Sequence, residues 1–340
     1  MPADFNRYRA PWWLPGGNLQ TVWSALYARR GDGSAPVYRR TRWDTADGDV
    51  IDVDWAADSA GAGDERPLLA LFHGLEGSSA SAYAQSFAAA ARARGWAFAV
   101  PHFRGCAGTL NLAPRAYHSG DYEEIGWMLQ RLREAHGAGP ILSVGVSLGG
   151  NALLRWAEEA GADAARLVSA VAAVCSPIDL GASARAIGRG FNRHVYTRMF
   201  LASMKPKALA KLVQHPGLFD AEVLKAARDL YDFDDVFTAP LHGFRDAEDY
   251  WRRCSAAPRL GDIRLPALVL NAANDPFVPV QSLPTRVSGD HVVLWRPRHG
   301  GHVGFPRGAL PPGDVNAMPE AVCHWLGAHL PLGHTSRHPS

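Results

Sequence analysis

Residues 145–151 read GVSLGGN and stand between the apolar run Ile141-Leu142-Ser143-Val144 and the helix-like stretch Ala152–Ala157. A serine set among glycines where a strand gives way to a helix is either an ordinary turn or a tight, strained elbow that holds one hydroxyl out for chemistry. The strand before it and the helix after it favour the elbow.

Working outward from this point, the chain keeps a regular alternation. Leu68–Phe72 reads as a buried strand, Tyr83–Arg94 as an alanine-rich helix and Ala97–Val100 as the next strand. Asp121–Ala135 predicts a helix opened by an Asp-x-x-Glu capping box, Asp121-Tyr122-Glu123-Glu124. Beyond the elbow come a helix over Ala152–Ala160 and a strand over Leu167–Val174. Strands and helices of these lengths imply right-handed crossovers and an α/β fold, a mainly parallel twisted sheet with helices on both faces. Upstream, Val37–Trp43 and Val50–Trp55 predict a hairpin turning at Asp47-Gly48.

From Ile178 to Ala257 the alternation lapses into helical pieces rich in charge, Phe, Tyr and Met, which suggests an inserted helical cap. It resumes with strands over Ala267–Leu270 and His291–Trp295 and a closing helix over Pro319–Leu330. The expected division is a core over 1–177 that carries the elbow, a cap over 178–257, the rest of the core over 258–330, and a frayed tail over 331–340.

The bulk numbers agree with a large enzyme domain. The chain has 340 residues, of which 47% are hydrophobic and 20% charged, enough to build one core with a cap. Its net charge is +2 with Lys and Arg scattered, so no electrostatic track for nucleic acid is expected. Cys106, Cys175, Cys254 and Cys323 lie far apart without zinc-site spacings, as expected of reduced thiols in a cytoplasmic protein. The start shows no apolar signal region, and no stretch reaches the roughly 18 apolar residues of a membrane span.

In an open parallel sheet the reactive groups gather at the strand ends, where the loops converge. After Phe72 comes His73-Gly74-Leu75-Glu76-Gly77-Ser78-Ser79, and after Leu270 comes Asn271-Ala272-Ala273-Asn274-Asp275-Pro276. After the last strand comes His299-Gly300-Gly301-His302. A serine hydroxyl needs a base to take its proton, histidine suits that task near neutral pH, and a carboxylate behind it fixes the tautomer. The order Ser147, Asp275, His302 supplies all three. The oxyanion of an acyl-transfer intermediate needs backbone donors, each worth about 3 to 4 kcal/mol of transition-state stabilisation, and Leu75 and Leu148 N–H are the candidates. Taken alone, Asp275 could be a turn former, His73 a packed loop histidine, and His299 with His302 a weak metal pair. Their joint placement at successive strand ends favours the catalytic reading.

Together HGLEGSS (73–79), FRGC (103–106), PRAYHSGD (114–121), GVSLGGN (145–151), NAANDPF (271–277) and HGGHVGF (299–305) resemble the YheT-type esterases of the α/β-hydrolase superfamily. The resemblance runs from LPGGNLQT (14–21) to the final helix, and FRGC with PRAYHSGD is more specific than the elbow. Two positions depart from the pattern, His102 where Asn is expected and Asn18 where His is frequent. The resemblance implies a lipase-like carboxylic ester hydrolase acting on short-chain or lipid acyl esters. Its nucleophile falls on Ser147, its acid on Asp275 and its base on His302, and no cofactor or metal is expected. An acyltransferase or thioesterase with the same triad, and a non-catalytic binding module on the same fold, are the alternatives. Serine at the elbow argues against halide or epoxide chemistry, which would want an aspartate there.

Four further features have a bland and a functional reading. Trp12, Trp13 and Trp23 are expected to pack the N-terminal segment more than to touch lipid. Phe191, Tyr196, Phe200, Phe219, Tyr231, Phe233 and Phe237 could line an acyl pocket or simply pack cap on core. The acidic run Asp229–Asp235 is expected to be a solvated loop, since it lacks the ligand spacing of a calcium loop. Cys106 is expected to be a packed thiol.

Overall fold

A computed structural model describes residues 5–31, 33, 35–59 and 64–331. The expected tail from Pro331 lies, but for its first residue, outside the described residues. Eight strands form one sheet: β1 (Tyr38–Asp44), β2 (Val50–Ala56), β3 (Leu68–Phe72), β4 (Ala97–Pro101), β5 (Ile141–Val146), β6 (Ala170–Val174), β7 (Ala267–Leu270) and β8 (Val292–Trp295). Their order is β1-β2-β4-β3-β5-β6-β7-β8. The β1/β2 hairpin joins β4 antiparallel, and every pairing from β4 to β8 is parallel. Strands β3 to β7 are buried along their whole length, which is why they read as apolar runs instead of alternating.

Helices cover both faces. Ile125 and Met128 of α3 (Tyr122–His136) and Leu153 and Trp156 of α4 (Leu148–Ala160) pack with Phe72 and Val171 on one side. Phe87 and Ala91 of α2 (Ala82–Arg92) pack with Val322 and Trp325 of the closing helix (Ala317–Gly327), over Leu71 and Val144, on the other. Burial of each such large side chain stabilises the fold by about 1.5–3 kcal/mol.

Three expectations needed correction. The capping box at Asp121 does not form, because Arg115 Nη2 bonds Asp121 Oδ2 at 2.5 Å and Arg104 Nε bonds Glu124 Oε1 at 2.5 Å; both carboxylates are drawn to guanidinium groups. Strand β6 starts at Ala170 and not Leu167, because Leu167 and Val168 N–H both turn back to Ala164 O. Residues 229–235 are not a solvated loop. Asp229 caps a short helix, Asp235 accepts Ala247 N–H, and Asp234 accepts Trp251 Nε1–H at 2.9 Å.

Between β6 and β7 the regular elements are all helical. They include α5 (Leu180–Ile187), a continuous path from Gly190 through a π-helical turn (Arg193–Thr197) into α6 (Arg198–Gln214), then α7 (Ala221–Ala226) and α8 (Ala247–Cys254). The base of this layer is pinned by one side chain of the elbow helix. Buried Asn151 donates to Ser119 O and Cys254 O, both at 2.8 Å, and accepts Ala256 N–H.

An N-terminal helix, α1 (Gly17–Leu26), has no counterpart in the sequence reading. It is built inside out, with Gln20, Thr21 and Ser24 buried while Leu19 and Leu26 are exposed. Without an inward apolar stripe it carries no amphipathic signature.

Candidate active site

The glycines of the elbow are dictated by clearance. A Cβ on Gly145 would lie 2.5 Å from Gly149 O and Gly150 Cα, and one on Gly149 would lie 2.5 Å from Phe72 O. Only with bare backbone at both positions can β5 pass straight into α4. Ser147 between them has φ 52° and ψ −120°, a conformation that costs about 1–3 kcal/mol and persists only where the surroundings impose it. The five non-glycine residues of positive φ among those described are Glu76, Ser147, Cys175, Val303 and Phe305. All lie in loops after β3, β5, β6 or β8, so the strain is concentrated at one end of the sheet.

The structure brings Ser147, Asp275 and His302 together. Ser147 Oγ lies 3.0 Å from His302 Nε2, and His302 Nδ1 lies 3.0 Å from Asp275 Oδ2 and 3.2 Å from Oδ1. With Nδ1–H donating to the carboxylate, Nε2 is left as an acceptor for the serine proton. Asp275 Oδ1 also accepts the N–H groups of Phe277 and Val278, which orient the carboxylate. Asp275 therefore both forms the turn and bonds the histidine ring.

Leu75 and Leu148 border the same cavity as Ser147 and His302. The loop around Leu75 is held by two tyrosines, since Gly74 N–H donates to Tyr83 Oη and Glu76 N–H to Tyr117 Oη, each at 2.9 Å. Between these two occupied donors Leu75 N–H meets no protein acceptor among the described residues, and neither does Leu148 N–H at the start of α4. His73 packs beneath this loop. Its Nδ1–H bonds Gly74 O at 2.8 Å, its Nε2 accepts Phe103 N–H, and burial lowers its pKa to about 3, so it is a neutral strut.

Helix α1 holds the histidine loop. Gln20 Oε1 accepts from Asn274 Nδ2 and Gly300 N, both at 2.9 Å, and Thr21 Oγ1 accepts His302 N–H at 2.8 Å. Gln20, Thr21, Tyr83 and Tyr117 escaped the sequence reading; for all but Tyr83 the available signal was their place in LPGGNLQT and PRAYHSGD, blocks that carry the family resemblance. Arg104 of FRGC is a buried brace, with Nη1 bonding Asp49 Oδ2 at 2.7 Å and Asp47 Oδ2 at 2.9 Å. The departing positions are also structural: His102 Nε2 meets Asp54, and Asn18 accepts the Tyr196 hydroxyl.

Among the described residues one trio offers metal-ligand atoms close together, Cys175, Asp275 and His302. The Asp275–His302 bond and the Val303 N–H donated to Cys175 Sγ already use these atoms, and burial holds the thiol far above its ordinary pKa. Burial likewise pushes the Cys106 thiol up to about 12, as a packed thiol requires.

Two cavities meet at Ser147 and His302. One runs under the cap between Leu180, Ala184, Ile187, Leu230, Trp251 and Val278. The other, open to solvent, runs between α1, α2 and the start of α6. Phe200 and Phe277 line both, whereas Phe219 packs inside the cap against Phe237. Trp13 and Trp23 stack edge to face and donate to Gly308 O and Pro312 O, so they pack as expected, while Trp12 is exposed.

A parallel sheet with an elbow serine, an acid after β7 and a histidine after β8 defines a class, and the comparisons agree. The chain belongs to the α/β-hydrolase fold family, whose model matches residues 67–309. Within it the chain is 40% identical over 296 residues to YheT of Escherichia coli (strain K12), named as an esterase, covering 86% of this chain and 85% of that one. It is 28% identical over 284 residues to mouse phospholipase ABHD3, covering 81% of this chain and 68% of that one. Mouse α/β-hydrolase domain-containing protein 10 shares the fold, with a TM-score of 0.52 at 13% identity, covering 85% of this chain and 99% of that one.

Proposed function

We propose that this carboxylic ester hydrolase works through an acyl-enzyme on Ser147. His302 Nε2 takes the serine proton as Oγ attacks the acyl carbonyl, and Asp275 stabilises the imidazolium that forms. The N–H groups of Leu75 and Leu148 receive the oxyanion. His302 then protonates the leaving alcohol, activates water, and the acid departs. The observation that carries this reading is the Ser147–His302–Asp275 chain of 3.0 Å contacts, with Leu75 and Leu148 N–H meeting no protein acceptor among the described residues.

The apolar walls of both cavities support an acyl ester or lipid substrate, with the acyl chain under the cap and the leaving group in the open cleft. The cap is assigned to 178–257. The four unpaired cysteines support a cytoplasmic setting, and no described helix is long and apolar enough to cross a membrane.

The test is labelling by a fluorophosphonate probe, followed by p-nitrophenyl ester turnover. Wild-type protein should label and turn over; Ser147→Ala, with unchanged circular dichroism, should do neither. Persisting turnover in that variant would sink the proposal. Diversion of the acyl group onto an added alcohol in preference to water would instead mark an acyltransferase.

A further inference from the structure

The open cleft has a rim unlike the rest of the surface. On one side α1 turns its polar residues inward and leaves Leu19 and Leu26 51% and 63% exposed. On the other, the Gly190–Gln214 helical path exposes Phe191 (56%), Val195 (37%) and Met199 (55%). Leu26, Val195 and Met199 line the cleft that reaches Ser147. The two sides touch, since Tyr196 Oη donates to Asn18 Oδ1 at 3.0 Å. Exposed apolar side chains bordering one opening mark an interaction site more than chance scatter does.

Charge indicates what covers this rim. No acidic residue occurs between Asp179 and Asp220, a stretch holding seven Lys and Arg, although the whole chain is only +2. Arg185, Lys205, Lys207 and Lys211 of that stretch bond within the protein. Arg189, Arg193 and Arg198 are exposed and meet no carboxylate among the described residues. They alternate with Phe191, Val195 and Met199. Among the described residues the one acidic residue lining the cleft, Glu76, is paired with Lys207 at 2.8 Å. A second copy of this chain would bring arginine against arginine here; an anionic, apolar-cored surface satisfies both features.

We propose that the rim formed by α1 and the Arg189–Met199 segment docks on an anionic lipid bilayer, so that acyl esters pass from the bilayer into the cleft. Delivery to Ser147 rests on the esterase reading; the docking itself does not. Leu19 and Phe191 enter the acyl boundary, and Arg193 and Arg198 face the phosphates.

The experiment is co-sedimentation of full-length Ser147→Ala protein with vesicles of phosphatidylglycerol mixed into phosphatidylcholine, and with pure phosphatidylcholine. Expected is binding to the anionic vesicles, weakened by salt, with little on the neutral ones. Arg193→Glu/Arg198→Glu, and separately Leu19→Glu/Phe191→Glu, should each lower that binding by at least about tenfold. The same pairs placed in the Ser147 enzyme should leave p-nitrophenyl acetate turnover unchanged, which shows that they fold. No vesicle binding, binding indifferent to either pair, or a stable dimer abolished by Leu19→Glu/Phe191→Glu would overturn the proposal. Vesicle binding by a wild-type protein that turns over no ester would overturn the esterase reading and leave the docking surface standing.

Discussion

Thr21 Oγ1 accepts the backbone N–H of His302 at 2.8 Å, across 281 residues of sequence. His302 is therefore held from two directions, by Asp275 on its ring and by α1 on its backbone. Thr21→Val removes the acceptor at nearly constant volume and is expected to lower kcat by about 3–10-fold, the weight of one hydrogen bond, with Thr21→Ser retaining activity. Steady-state kinetics with a short p-nitrophenyl ester checks it, and an unchanged kcat in Thr21→Val would dissolve the link.

Asp275→Asn keeps the size of the side chain and loses the charge to which the proposed mechanism assigns stabilisation of the imidazolium. A fall in kcat of up to about 10⁴-fold is expected, with the serine still in place. Rates of fluorophosphonate labelling and of ester turnover should drop together.

Gly145→Ala tests the elbow sterically. The added methyl meets Gly149 O and Gly150 Cα, both backbone, so no side chain can swing away. Unfolding by urea should show a loss of about 1–3 kcal/mol or more, accompanied by slower probe labelling as Ser147 leaves its position.

Ala184→Trp probes the capped cavity. Its wall position predicts that turnover of long acyl esters falls at least about tenfold while acetate esters are spared, because the added ring shortens the cavity without reaching the triad. Unchanged turnover of the long esters would place the acyl chain in the open cleft instead.

The brace beneath the site predicts a pH effect on stability. Burial alone would raise the Asp49 carboxyl, but hydrogen bonds from Asn111, Leu112 N–H and Arg104 outweigh it and bring it to about 2. A carboxyl held below its unfolded value adds stability above that value and loses it as the pH falls through the folded one. Asp49→Asn should thus be less stable than wild type near about pH 7, the gap closing between about pH 4 and about pH 2. Urea titrations across that range measure it; a gap that does not change with pH would assign the loss to geometry instead of charge.

The parallel strands and the juxtaposition of Ser147, Asp275 and His302 were legible because their signals are local: apolar runs for β3, β5 and β7, and one polar residue type at each strand end. What supports them was not. Gln20 and Thr21 act through a helix whose buried face is polar, so periodicity hides it. Tyr83 and Tyr117 matter through hydroxyls that reach a loop from elsewhere in the chain, and no spacing encodes that. The acidic run 229–235 misled because its carboxylates cap helices and meet distant partners such as Trp251, which composition reads as solvation.

The bonds from Gln20 and Thr21 to Asn274, Gly300 and His302 close the longest loop in the site. A nascent chain can form β3, β4, β5 and the elbow early, since domains build from the N-terminal side as synthesis proceeds. Helix α1, made first, must wait without its partners until residues 271–303 have left the ribosome. Ester turnover then begins only when α1 and the histidine loop have found each other, so the onset of activity in a translation reaction times this late docking and not the appearance of the serine.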